Sequence, residues 1–209
     1  MSKSLSNNSI ENRIMTLTGQ GQISLVPNIA IIRLGVQTLG QNLVTIQSEN
    51  SRKSQAIIQV LKNMGISDIK TFQYTIDKIF DYENGKQIDR GYSVRNIIEI
   101  RTNNMDRTGA IIDAAVKTGA NVVDFISFDV TDKEYYYQQA LNLATMNAIQ
   151  KSKSLSVALG ISVDPIPIKI TENSQFAIPY QQFQRDVAST PIMPGNIRIE
   201  ASVTAEFIY

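Results

Sequence analysis

A chain of 209 residues, 43% hydrophobic and 19% charged, carries enough apolar material for one sizeable core or two small lobes. Its net charge of +1 argues against a nucleic-acid binder, which needs a concentrated basic face to displace counterions. It has neither Cys nor His, and this excludes disulfides, thiol nucleophiles, thiolate or imidazole metal sites and Ser-His-Asp catalysis.

No apolar run approaches the roughly 20 residues of a membrane helix, and the first twelve residues, rich in Ser and Asn, lack the apolar core of a secretory signal. Two localisations stay open: cytoplasmic if Met1 is the native start, periplasmic or secreted if a signal peptide has been removed. Residues 1–13 read as a polar, disordered lead-in, native or artificial, and 14–209 as a single domain.

The first element is a strand in which Met15, Leu17, Gly19, Gly21, Ile23 and Leu25 alternate with Thr and Gln. Gly19-Gln20-Gly21 resembles the start of a dinucleotide fingerprint, but the third Gly and the following helix are missing, so close packing is the better reading. After Pro27-Asn28 a second strand puts Ala30, Ile32, Leu34 and Val36 on one face and Arg33 on the other. A helix is expected from Gly40 to Met64, amphipathic through Ile57, Ile58 and Leu61 and closed by Gly65. Its Ser48, Ser51 and Ser54 lie three apart, either lining a ligand cleft or letting the helix lie close to a sheet.

Residues 69–101 form the strongest signal in the chain: two alternating runs on either side of Asn84-Gly85, the pair that best tolerates the positive φ of a tight hairpin turn. Phe72, Tyr74, Ile76, Lys78 and Phe80 share one parity on the first strand. A helix through Thr118 follows, stopped by Gly119, and then a strand over 122–130 that is apolar on both faces and therefore expected to be central. Asp124 and Asp129 differ in parity, which would set them on opposite faces. Asp77 and Asp81 share a parity and are the weak candidates for carboxylate chemistry; no catalytic residue is assigned.

The longest element is a helix over 132–159, with Asp132 as N-cap, an inward stripe of Tyr137, Leu141, Ala144, Ala148, Leu155 and Leu159, and Gly160 as its stop. Of Tyr135-Tyr136-Tyr137 only one or two rings can face inward, so Tyr135 and Tyr136 are expected to supply a subunit contact. A strand begins at 165–170. The irregular stretch 172–196 then carries Phe176, Tyr180 and Phe183, too aromatic for a flexible linker, and these three join the expected oligomer interface. The last strand alternates without a break from Ile197 to Tyr209 and should join the sheet region of the first. The fold class is α+β: a ferredoxin-like βαββαβ sandwich extended by an extra N-terminal strand, a long third helix and C-terminal strands.

The residues also carry a resemblance. Gly91-Tyr92 with Asn96 and Ile98, and Gly119-Ala120-Asn121 followed by Ile126, Phe128 and Asp132, resemble signatures of the SIMPL-domain family. The Gly19-x-Gly21 strand, the long helix ending at Gly160 and the closing Ala201-Ser202-Val203 strand fit in order. The family's long helix is typically Ala-rich with Arg and Lys, where this chain has Gln138, Gln139 and Asn142. The resemblance implies a non-enzymatic, homo-oligomeric protein of the bacterial cell envelope, ring-like or channel-like and linked to oxidative-stress defence. The alternative is a small-ligand-binding or signalling-adaptor module of the same fold. The expected partner is a second copy of the chain, with no nucleic acid, no transmembrane segment and at most a peripheral association with the envelope. No cofactor or metal is expected.

Overall fold

The computed structural model describes residues 13–173 and 194–209. In chain order they form β1 (Ile14–Leu25), β2 (Ile29–Gly40), α1 (Leu43–Asn63), β3 (Asp68–Glu83), β4 (Lys86–Thr102), α2 (Thr108–Thr118), β5 (Val122–Asp129), α3 (Lys133–Leu159), β6 (Lys169–Glu172) and β7 (Ile197–Ile208). The fold is α+β, and it divides into two compact units. One holds β2 to β5 with α1 and α2; the other holds β1, α3, β6 and β7.

The first unit is a four-stranded sheet in the order β3-β4-β2-β5, each neighbouring pair antiparallel. With its strand-helix-strand-strand-helix-strand succession this is the ferredoxin-like sandwich expected from the sequence. One face of the sheet meets α1 and α2 in a core built from Ile32, Leu34, Val36, Ile98 and Ile100 below and Ile57, Leu61, Ile111 and Ile112 above. The β3–β4 hairpin turns at Asn84 and Gly85, at φ of 52° and 77°, which is the conformation that makes this pair the preferred hairpin turn.

Two details depart from simple alternation. β5 lies at the edge of the sheet, not at its centre, although its apolar residues on both faces suggested burial on both sides. β-Bulges also interrupt β3 at Phe72, between Thr71 and Gln73, β4 at Arg90, opposite Ile79 and Phe80, and the β2–β5 pairing at Arg33/Leu34. An inserted residue shifts the pairing by one and moves the following side chains to the other face. Phe72 and Tyr74 therefore do not share a face: Phe72 lies beneath Arg33, while Tyr74 pairs with Asn96 and accepts a hydrogen bond from Gln47 of α1.

The second unit is a three-stranded sheet in the order β1-β7-β6. The two ends meet as expected, where the Tyr209 amide donates to the Arg13 carbonyl at 3.0 Å. α3 packs on β1 at very short range. A Cβ added at Gly19 would lie 2.0 Å from the Ala144 carbonyl oxygen, and one at Gly21 would lie 2.0 Å from that of Ala140. The paired glycines thus serve backbone approach, not phosphate binding.

The same closeness corrects the expected inward stripe. The buried face of α3 is Tyr137, Ala140, Ala144, Ala148 and Ser152, while Leu155 and Leu159 are exposed, because only small side chains fit against glycine. Asp132 precedes the helix in a left-handed conformation, φ 56°, and its side chain makes no capping hydrogen bond. All three helices stop at a left-handed glycine, each with the paired carbonyl bonds of a Schellman turn. At α1, Gly65 N–H donates to Lys62 and Ile66 N–H to Leu61.

Candidate functional site

The serine row on α1 does not line a cleft. Ser48 and Ser51 are exposed, and the buried Ser54 donates its hydroxyl to Asn50 Oδ1 at 3.4 Å. Asn50, fully buried, fills the seam between helix and sheet: its side-chain amide donates to the carbonyls of Val36 and Val94, both at 2.9 Å. One residue thus ties α1 to two adjacent strands. Sequence reasoning missed it, and the signal available was a single Asn at the position where the helix's inward face crosses the sheet.

The sheet face away from α1 and α2 gathers most of the charged chemistry of the first unit. Glu99, 5% exposed, stands in β4 among Ile97, Ile98 and Ile100. Arg33 Nε reaches one carboxylate oxygen at 2.8 Å and Lys70 Nζ the other at 3.0 Å. The Arg33 guanidinium lies over the Phe72 ring at 3.7 Å and over the Phe125 ring at 4.9 Å, a stacking that suits its planar, weakly hydrated cation. Burial pushes the Glu99 carboxyl upward, but the hydrogen bonds and charges of Lys70 and Arg33 outweigh it and hold the group below the ordinary glutamate value. A carboxylate that is ionised and paired at both oxygens is a poor general base. The signal that could have revealed it was an acidic residue inside an otherwise apolar run.

The row continues with Gln37, which donates to the Ser93 hydroxyl at 2.9 Å, and with Arg95, bound to both oxygens of Asp124. The bulge between Arg33 and Leu34 brings Asp124 to the face of Arg95, the face to which Asp129 also belongs. The expectation that these two aspartates point oppositely is therefore corrected. Asp77 and Asp81 keep one face of β3, because the extra residue at Ile79/Phe80 is Arg90 of β4, and Arg90 takes Asp81 into a surface ion pair. Among the described residues, buried polar atoms without a hydrogen-bond partner occur at Arg95 Nε, Asn96 Oδ1 and Ser127 Oγ, and none forms a group of metal-ligating type.

Of the expected interface residues, Tyr135 is 61% exposed at the start of α3. Tyr136 is half-buried, with its ring edge-on to that of Tyr135 at 5.4 Å, and Tyr137 is buried, its hydroxyl bonded to Glu172. Phe176, Tyr180 and Phe183 lie outside the described residues.

The signature residues have structural work to explain them. Gly91, at φ 93°, allows the backbone to pass Gly40, whose carbonyl oxygen would lie 2.4 Å from an added Cβ. Asn121 pairs with the backbone of Gln37 in both directions at 2.8 Å, accepting from its N–H and donating to its carbonyl, as if it were one more strand residue. Gly119 is the stop of α2, and Ala120 is buried behind it.

These observations define an α+β protein in which Gly91, Gly119 and Asn121 serve the geometry of the backbone. The chain belongs to the SIMPL family, described as a protein of unknown function (DUF541), whose model matches residues 15–207. It is 25% identical over 209 residues to the 26 kDa periplasmic immunogenic protein of Brucella melitensis, covering 92% of this chain and 83% of that one. It is 24% identical over 151 residues to the uncharacterized protein YggE of Escherichia coli, covering 71% of this chain and 61% of that protein's length. YggE of Edwardsiella ictaluri is 23% identical over 152 residues, with 71% and 64% covered. A solved amidase from Burkholderia phymatum aligns over 66% of this chain and 39% of its own at 14% identity, and its TM-score of 0.22 bears on neither fold nor chemistry. No described helix is long and apolar enough to cross a membrane.

Proposed function

We propose that this protein is a non-enzymatic component of the bacterial cell envelope that works in the periplasm as a homo-oligomer, with residues 15–207 acting as one family domain. Likeness to a periplasmic immunogenic protein over 92% of the chain supports the compartment. The observation that carries self-assembly is Tyr135, a large ring held 61% exposed and backed by Tyr136, the kind of aromatic anchor enriched at interface centres. Phe176, Tyr180 and Phe183 belong to the same proposed interface. A ring-like or channel-like assembly serving oxidative-stress defence is the finer form of this reading and rests on the family resemblance.

Light scattering decides the assembly. The parent should have the mass of several subunits. Replacing Tyr135 and Tyr136 by Ala, or residues 175–189 by a Gly-Ser linker, should lower that mass with the circular dichroism unchanged. A monomeric parent overturns the reading.

A second reading, a small-ligand or adaptor module, draws on Arg33 between Phe72 and Phe125 beside Glu99 and Lys70. Native mass spectrometry separates the two: a copurifying ligand of defined mass favours the module, and a large assembly without one favours the envelope oligomer.

A further inference from the structure

β3 is an edge strand: among the described residues β4 pairs with one side of it and no strand with the other. Past its bulge at Phe72, Gln73–Ile79 pairs regularly with β4 for seven residues, with Tyr74 and Ile76 exposed at 48% and 40%. An exposed edge of this kind presents unpaired backbone N–H and C=O groups to any strand that can match them.

The sequence of the stretch matches itself. Laid antiparallel about a two-fold axis through Ile76, it opposes Tyr74 to Lys78, Thr75 to Asp77 and Gln73 to Ile79, so that no like charges meet. The two Ile76 side chains meet on the axis. This register also keeps the paired stretch clear of the β3 bulge at Phe72. Its neighbours do worse. Centring on Asp77 or Lys78 sets that charge against its own copy, centring on Tyr74 sets Lys70 against Lys78, and centring on Thr75 carries the pairing into the bulge at Phe72.

We propose that Gln73–Ile79 pairs edge to edge with the same stretch of a second copy, joining two sheets into one continuous sheet about a two-fold axis at Ile76. The inference rests on the self-assembly reading above and names a surface for it distinct from Tyr135 and Tyr136.

The absence of cysteine from the chain makes the test clean, since any introduced thiol reports alone. Under mild oxidation by glutathione disulfide, Ile76→Cys should form a covalent dimer on a non-reducing gel far faster than Tyr82→Cys, which is more exposed on the same strand but off the axis. Gln73→Cys and Ile79→Cys should cross-link with each other when mixed and resist cross-linking alone. Tyr74→Lys, which sets a lysine against Lys78 of the partner subunit, should raise the dissociation constant about tenfold or more with circular dichroism unchanged. A parent that is monomeric by light scattering overturns both the assembly reading and this surface. A parent that assembles, while Ile76→Cys oxidises no faster than Tyr82→Cys and Tyr74→Lys leaves the mass unchanged, overturns this surface alone.

Discussion

Gly19 and Gly21 set the distance between β1 and α3, and the smallest side-chain change should be felt there. The atom that Gly19→Ala would crowd is the backbone oxygen of Ala144, which cannot swing aside as a side-chain terminus can. We expect a loss of about 2–3 kcal/mol from overpacking, against about 0.5 kcal/mol or less for Gln22→Ala on the exposed face of the same strand. Urea midpoints of the two variants check it. Glu99 predicts a pH dependence. Its folded pKa is depressed by Lys70 and Arg33 against the upward push of burial. The stabilisation is therefore complete above the unfolded glutamate value of about 4.3 and is lost as pH falls through the lower, folded value. Unfolding titrations between neutral and acid pH should show Glu99→Gln flattening that part of the curve; an unchanged acid limb would mean that the ion pairs stabilise nothing.

At the scale of elements, β7 offers the sharpest comparison of faces. Val203 is 1% exposed and faces the packed side of its sheet, while Thr204 is half-buried on the polar side, where its hydroxyl accepts from Asn173. Val203→Asp should cost about 4 kcal/mol through an unpaired buried carboxylate, and Thr204→Asp about 1 kcal/mol; equal shifts of the urea midpoint would contradict the face assignment. β7 was legible in the sequence because every other residue from Ile197 to Phe207 obeys one period. The three helix stops were legible because glycine alone enters the left-handed region cheaply. The bulge in β3 was not, since an inserted residue reverses parity without altering composition, and the sharing of faces by Phe72 and Tyr74 failed with it. The edge position of β5 was also hidden, because apolar residues on both faces of a strand do not say what covers its side. At the site, Arg33 was placed on the correct face of β2, yet its partner Glu99 lies 66 positions away. Nothing local encodes that pairing.

For the whole molecule, composition makes the firmest chemical prediction. Without His or Cys, only oxygen ligands and the thioethers of six Met could hold a transition metal. After chelation and dialysis the purified protein should retain no stoichiometric iron, copper or zinc by elemental analysis. The strand order β1-β7-β6 has a different consequence, one that concerns the making of the protein. β7 is the middle strand of its sheet, yet it is the last element of the described chain. During synthesis β2 to β5 have every described strand of their own sheet once residue 129 has emerged, whereas β1, translated before all of them, has no neighbour among the described strands until β7 appears. For most of translation β1 is an alternating strand still waiting for its described partner, the kind of segment that aggregates at a nascent chain's expense. A chaperone that shields extended apolar segments would have most to do here at the start of the sequence, and its task would end only when the final strand arrives.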